Sequence, residues 1–354
     1  PRDRGGPRAL SPEVLPPAVA GDPSSLDPFA DLDPFAPVAA LPPALPRRPR
    51  WGLAILLAAL TLFTTTTLGA VYLLWAHPTE LSPIDWPVLL PSTVTGVWGD
   101  PGILRLGLSF SLPAIAILLA HEMGHYLACR WHRLPSTVPY FLPLPLALGT
   151  LGAFIRIRAP IRDRRQLFDV GVAGPLAGFA VLLPFLVVGV ARSEPVVPPA
   201  LAAGEATAAL LLVPGKCLAI EVASLAFHGP LPEGAILHLH PFALAAWFGL
   251  LVTAINLLPV GQLDGGHVFY AVSPRLQHRL ALPVWLTLAL AGLLFLGWLV
   301  WCVILLFIGL RHPPVMRPER GLGPGRLAIA ALALLILLVS FMPVPLDDVL
   351  VGLV

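Results

Sequence analysis

Long apolar segments recur along the chain, and polar residues gather between them. The apolar runs predict membrane-spanning helices at 51–76, 103–130, 168–191, 241–259, 281–310 and 326–343, and several exceed the roughly 18 residues that mark a transmembrane helix. Arginines flank 281–310 on both sides, which favours two short helices hinged near Gly297. The pattern therefore predicts an all-α polytopic membrane protein with about six to seven transmembrane helices.

Composition supports this class and excludes others. Hydrophobic residues make up 56% of the chain and charged residues only 12%, so nothing indicates a separate soluble domain. The net charge of +2 is too small to indicate a nucleic-acid partner, and the expected surroundings are membrane lipid. The three cysteines are isolated and predict neither a metal cluster nor a disulfide framework. Nothing in the sequence indicates an oligomeric state.

The distribution of arginines predicts the topology. Residues 1–50 are rich in proline and acidic residues, so we expect a disordered tail. The tail ends in arginines just before the first apolar run. The second span is followed by Arg130 and Arg133. By the positive-inside rule both segments are cytoplasmic, in what we expect to be a bacterial inner or plasma membrane. Residues 51–354 are then one polytopic domain.

Residues 206–227 are apolar but interrupted, among others by Pro214 and Lys216. This pattern favours an interfacial or re-entrant helix over a full span.

A metal-binding motif lies in the C-terminal half of the second span. His121 and His125 are four residues apart, so on a helix both imidazoles project from one face and can bind one metal ion. Glu122 follows the first histidine, where a carboxylate can accept a proton from the water that the metal activates. The alternative is a pair of core histidines with satisfied hydrogen bonds. Because a charged group inside a bilayer costs roughly 2.5–3.5 kcal/mol, these residues need a function or a partner.

Asp264 is the best candidate for a third ligand. It lies at the cytoplasmic end of its span, at the same membrane depth as the two histidines, and the glycines Gly265 and Gly266 allow a turn that aims its carboxylate into the bundle. The alternative is that Asp264 caps the helix 265–272. His267, one turn later, either orients the substrate or a ligand, or is a polar interfacial residue.

Three further residues are candidates for substrate binding. Asn256 is a polar side chain in an apolar helix, which can donate an amide N–H to the oxyanion or make an interhelical hydrogen bond. Residues 150–158 alternate in strand fashion beside the metal motif, and we expect Gly152 and Ile155 to form an edge to which unwound substrate adds. The alternative is a simple cytoplasmic hairpin with solvated arginines.

Together these motifs resemble one known family. The segments His121–His125, Gly174–Gly178 and Asn256–His267 occur in the order typical of the site-2 proteases, the M50-type intramembrane zinc metalloproteases. The resemblance covers about residues 100–275, the expected catalytic core. The stretch 192–240 is about half the roughly 100 residues that a PDZ domain needs, so the chain is most similar to the branch without that domain.

The resemblance implies a function and a set of roles. Members of the family cleave transmembrane segments of membrane-anchored proteins near the cytoplasmic side. The resemblance also implies that the protease itself has a small membrane-associated β-element between its second and third spans. It implies one Zn²⁺ per chain on His121, His125 and Asp264, with Glu122 as base and Asn256 in contact with substrate. The main rival is a transporter or ion pathway, which also places His, Glu and Asp inside the membrane. No internally repeated half supports that rival.

Overall fold

Helices dominate the residues described by the computed structural model, 50–75, 91–145, 148–197, 209–316 and 321–351. All of these residues belong to one unit, Pro46–Val354. In the N-terminal half the elements are α1 (Trp51–Trp75), α2 (Pro91–Gly99), α3 (Pro101–Trp131), β1 (Tyr140–Pro143), β2 (Thr150–Phe154) and α4 (Arg164–Ala191). The expected tail, residues 1–50, lies outside the described residues apart from Arg50.

The second half contains shorter elements. They are β3 (Glu194–Val196), β4 (Ala209–Pro214), α5 (Leu218–His228), β5 (Ile236–His238), α6 (Pro241–Asn256), α7 (Asp264–Val272), α8 (Pro274–Ala291), α9 (Gly297–Ile308), α10 (Pro324–Ser340) and β6 (Leu346–Val351). The predicted break near Gly297 is confirmed, because α8 and α9 are separate helices.

Helix length limits how many spans can be counted. Among the described residues, α1, α3 and α4 are long and apolar enough to cross a membrane. The 16 residues of α6 extend only about 24 Å at 1.5 Å per residue, which is less than a hydrocarbon layer of about 30 Å. The described part of the chain is therefore mainly helical, with three candidate spans, and the predicted number of six to seven is not confirmed.

The interfacial helix predicted over 206–227 is wrong in its first half. Ala209–Pro214 is the strand β4, which pairs with β6, and the helix α5 begins only at Leu218. Pro214 and Gly215 explain the difference, because neither residue is compatible with an uninterrupted helix at this point.

A small β-element is present between α3 and α4, as expected. Strands β1 and β2 pair antiparallel, with Phe141 opposite Ala153. The loop that joins them is fixed to α1, where the Thr64 hydroxyl donates to the Gly149 carbonyl at 2.6 Å. The first long helix therefore holds the hairpin in place.

The buried core lies where α3, α4 and α6 meet. Large apolar side chains from these helices are almost completely buried, among them Phe110, Leu182, Leu244 and Trp247. Asp100 begins α3 by accepting backbone hydrogen bonds from the first helical turn, and Asp163 does the same for α4. These two caps fix the start of both helices that frame the candidate site.

Candidate metal centre

Three donor atoms meet at one point between α3 and α7. The Nε2 atoms of His121 and His125 are 3.1 Å apart. The Asp264 Oδ2 lies 3.1 Å from the first of these nitrogens and 3.3 Å from the second. Both histidines are buried. The structure thus brings together the three residues that the sequence predicted as ligands, which are His121, His125 and Asp264.

The spacing of these atoms fits a zinc ion. Four ligands at 2.0–2.1 Å around a tetrahedral ion lie roughly 3.3 Å from one another. The three donor separations here, 3.1, 3.1 and 3.3 Å, are close to that value. Two imidazoles and one carboxylate also leave a fourth position for water or substrate, as in catalytic rather than structural sites.

The orientation of His125 is set by a backbone group. Its Nδ1 lies 2.8 Å from the carbonyl of Val170 on α4. Because a carbonyl only accepts, Nδ1 carries the proton and Nε2 keeps the lone pair that a metal requires. Val170 was not predicted, and no side-chain pattern could have identified it, since it acts through its main chain.

The glycines of α4 provide the space that the two histidines occupy. A Cβ at Gly174 would overlap the imidazole ring of His125, and a Cβ at Gly178 would lie 3.2 Å from the Cβ of His121. The prediction that this stripe permits close helix packing is confirmed, and the side chains that approach it are His121 and His125, the two predicted ligands.

Asp264 is the first residue of α7 and does not cap it. The N-cap residue is Leu263, which makes no side-chain capping hydrogen bond, and the Asp264 carboxylate faces the histidines instead. The capping alternative is therefore wrong. Gly265 and Gly266 act differently from the expectation, since a Cβ on either would overlap backbone carbonyls of the preceding loop, while the positive φ of that turn is at Gly261.

Glu122 lies beside the three donors. Its side chain is buried and within electrostatic reach of His125 and Asp264, and the backbone amide of Ile155 faces its carboxylate. The β-element and the predicted base are thus in contact, which places the candidate substrate edge next to the candidate metal.

The other predicted residues border this group. Asn256 ends α6, with its amide nitrogen 3.5 Å from the His121 Nε2. Gly152 has φ of 103° and open space where a Cβ would be. Strand β2 ends at Phe154, one residue before Ile155, but extended pairing resumes at Ile157, which bridges to Ser136.

A polar cluster that the sequence did not reveal fixes the ends of three helices. Arg326, at the start of α10, donates two hydrogen bonds of 2.7 Å to the carboxylate of Asp169 on α4. His132, which caps α3, lies 2.9 Å from the same carboxylate. Asp169 directly precedes Val170, so this cluster supports the backbone group that orients His125. Its members are far apart in sequence, and no short motif links them.

Two imidazoles and an aspartate surround one position that a metal ion fits, and a buried glutamate lies beside them on an apolar helix, which is the donor set of a candidate catalytic metal centre. The family described as Peptidase family M50 matches residues 109–299, more than half of the chain. The chain belongs to this family.

Several relatives share this region. The rice (Oryza sativa) protein named "Probable zinc metalloprotease EGY1, chloroplastic" is 32% identical over 221 residues, which cover 60% of this chain and 36% of the relative. EGY2 of rice is 35% identical over 191 residues, 53% of this chain and 33% of the relative. EGY1 of Arabidopsis thaliana is 28% identical over 320 residues, 82% of this chain and 53% of the relative.

The chain spans about a third to a half of the length of these relatives. Their names place them in chloroplasts, so the comparisons do not support the expectation of a bacterial membrane. No solved structure matches the chain.

Proposed function

We propose that this protein is an intramembrane zinc metalloprotease that hydrolyses peptide bonds in or near transmembrane segments of membrane-anchored proteins. The observation that carries the proposal is the triangle of donor atoms, 3.1–3.3 Å on each side, with the buried Glu122 next to it on an apolar helix. Membership of a peptidase family supports the reaction class. Residues 51–354 form the polytopic protease domain, with the catalytic core at about 100–275.

Each residue of the centre has a chemical role in this proposal. His121, His125 and Asp264 hold the metal, and Zn²⁺, when bound, supplies a Lewis acid that polarises the scissile carbonyl and makes water more acidic. The Glu122 carboxylate accepts a proton from the attacking water and then donates it to the leaving amine. The amide of Asn256 donates to the oxyanion that develops at the carbonyl.

A helical substrate must unwind before its peptide bonds are accessible, and in lipid its freed backbone groups need partners. One edge of strand β2 is paired with β1. On its other edge, the backbone of Ile155, the residue that follows the strand, faces Glu122. Substrate that adds to this edge as an extended strand would satisfy its backbone and would lie beside the base. The open space at Gly152 leaves room for a substrate side chain.

The proposed centre lies near the arginine-rich ends of α3 and α4. Arg130 lies in the last turn of α3, one residue before its end, and Arg164 and Arg165 begin α4. His125 and Val170, which meet across these two helices, lie within two turns of those ends. By the positive-inside rule this is the cytoplasmic side.

Replacement of the base is the decisive experiment. In Glu122→Gln we expect hydrolysis to fall by about 10²–10⁴-fold because the proton acceptor is lost, with zinc content unchanged. Zinc content is measured by mass spectrometry of the purified protein. Substrates are identified by comparative membrane proteomics, in which we expect an uncleaved single-span protein to accumulate in the variant. Glu221→Gln, an exposed glutamate on α5, is the matched control and should behave as wild type. Purified wild type without zinc, or unchanged cleavage in Glu122→Gln, contradicts the proposal.

The substrate edge has a separate test. Ile155→Pro removes the backbone N–H that faces Glu122, and we expect cleavage to be abolished while zinc content stays the same. Ile155→Val keeps the amide and the branched side chain and should retain activity. Normal cleavage by the proline variant would remove this edge from the mechanism.

A further inference from the structure

Two histidines form a hydrogen-bonded pair, one of them close in the chain to the candidate ligand Asp264 on α7. His267 lies on α7, one turn after Asp264, and its Nδ1 is 2.8 Å from the Nε2 of His312. His312 is 5% exposed and lies between α9 and α10, beyond the residues that the family comparison matches. Neither histidine has a role in the mechanism described above.

The hydrogen bonds of this pair determine which nitrogens carry protons. The Nδ1 of His312 is 2.6 Å from the carbonyl of Pro313, which can only accept, so Nδ1 is protonated. A neutral imidazole has one N–H, so the Nε2 of His312 must accept from the Nδ1–H of His267. The remaining nitrogen, the Nε2 of His267, then carries a lone pair and no proton.

The assignment requires both rings to be neutral. Burial lowers the pKa of His267 to about 4, with a smaller contribution from His312, and burial also lowers the pKa of His312. A protonated ring would have two N–H groups and could not accept at either nitrogen.

The backbone around His312 is fixed. Its N–H donates to the Oε1 of Gln277, a fully buried side chain on α8. The amide nitrogen of Gln277 donates to the carbonyls of Pro259 and Leu310, at 3.3 and 3.1 Å. The segment that carries His312 is therefore tied to the loop that precedes Asp264, and the imidazole of His312 has a fixed place beside His267.

His267 lies near the centre, because its Cβ and the Asp264 carbonyl both pack against Gly171, the residue after Val170. The described hydrogen bonds leave Nε2 without a partner, and the ring is within electrostatic reach of Asp264 and His125. An extended substrate paired with β2 would satisfy one of its edges only, and the N–H groups of its other edge would face the Asp264 side in lipid. An unpaired N–H there is unfavourable, and a bare ring nitrogen is a suitable acceptor.

We propose that His267 binds a main-chain N–H of unwound substrate through its unprotonated Nε2, and that His312 is the positioning residue that holds it in this tautomer. The inference rests on the proposed function, because it requires an extended peptide at the centre. It gives the substrate a partner on each side, β2 on one and α7 on the other.

The tautomer can be measured without any hydrolysis. The zinc-loaded full chain, labelled with ¹⁵N-histidine and placed in lipid nanodiscs, is studied by NMR, with His267 assigned by its loss in His267→Phe. We expect a protonated Nδ1 and a bare Nε2 on His267 in wild type, a shift toward protonated Nε2 in His312→Leu, and the wild-type state in His312→Gln, whose amide oxygen can accept. His278→Gln is the matched control, since the hydrogen bond between His278 and His312 goes to the backbone carbonyl of His312 and not to its ring. A protonated Nε2 in wild type overturns the proposal even if His312→Leu does not fold.

Substrate contact is measured by binding in the Glu122→Gln background, with fluorescently labelled β-casein as an unfolded polypeptide probe. We expect the Kd to rise about tenfold on adding His312→Leu, or His267→Phe, and to stay unchanged with His312→Gln or His278→Gln, at constant zinc content. An unchanged Kd in both His312→Leu and His267→Phe overturns the contact. Failure of the proposed function itself would be seen differently, as wild type without zinc or hydrolysis, whatever the tautomer of His267.

Discussion

The contact surface between α3 and α4, here called the seam, differs in packing from the helix pair α8 and α9. Both regions are rich in apolar residues, but the seam is closely packed, whereas much of the surface of the helix pair is exposed. In the seam, a Cβ on Gly124 would overlap the carbonyl of Ala173, and one on Gly174 would overlap the ring of His125. Around the end of α8 and along α9, large apolar side chains are exposed, among them Leu293 at 83% and Phe307 at 89%.

The difference shows two uses of apolar sequence in one membrane protein. The inner faces of α8 and α9 still pack, as the indole N–H of Trp285 donates to the Cys302 carbonyl at 2.9 Å. Their outer faces need only be apolar, because lipid conforms to any shape. In the seam the shape of each residue matters, since the metal ligands fill the space between two backbones.

Gly174→Ala should have the largest effect on the seam. The added methyl group overlaps the imidazole of His125, a rigid ring held by Val170, so the ring must move out of the ligand position. We expect zinc affinity to fall by about tenfold to hundredfold, as for other changes that disturb ligand orientation, and hydrolysis to fall with it. Zinc titration against a competing chelator measures this.

Gly325→Ala on α10 is the matched control for that substitution, because nothing lies within 4 Å of the added atom. We expect zinc binding to be unchanged and stability to rise by about 0.5–1 kcal/mol, the helix preference of alanine over glycine. Equal zinc affinity in the two variants would show that the seam tolerates a methyl group and that the contrast between the regions is false.

Much of the centre could be predicted because its chemistry is local in sequence. The spacing of His121 and His125 places both on one face of a helix. Asp264 is distant in the chain, and it was predicted from its membrane depth, from the glycines that follow it and from the family resemblance. The glycine stripe was correctly predicted as a packing surface, although its partner, the histidine pair, could not be inferred from spacing. The sequence placed the strand at 150–158 beside the metal motif, but it did not predict that Ile155 contacts Glu122.

Other features depend on contacts that leave no pattern in one sequence. Val170 acts through its carbonyl, and the cluster of Asp169, His132 and Arg326 joins three helices whose residues are distant in the chain. His312 lies in an irregular segment with no periodicity to mark it. The predicted number of spans is not confirmed, because hydropathy detects apolar composition, whereas the described helices α6 and α9 are shorter than a bilayer is thick.

The smallest effect should be at the lipid-facing surface, where Phe307→Ala is compared with Phe110→Ala. Helix association in lipid lacks the transfer of apolar surface from water, so a buried ring contributes mainly by filling space. Phe110 is fully buried and occupies the gap over Gly69, so its loss leaves a cavity of roughly 100 Å³ and should cost about 2 kcal/mol at about 24 cal/mol per Å³. Phe307 exchanges one lipid contact for another, so its truncation should change the free energy of unfolding by less than about 0.5 kcal/mol. Unfolding in mixed micelles by titration with a denaturing detergent measures both, and a Phe307 cost equal to that of Phe110 would mean that α9 packs against a protein surface rather than lipid.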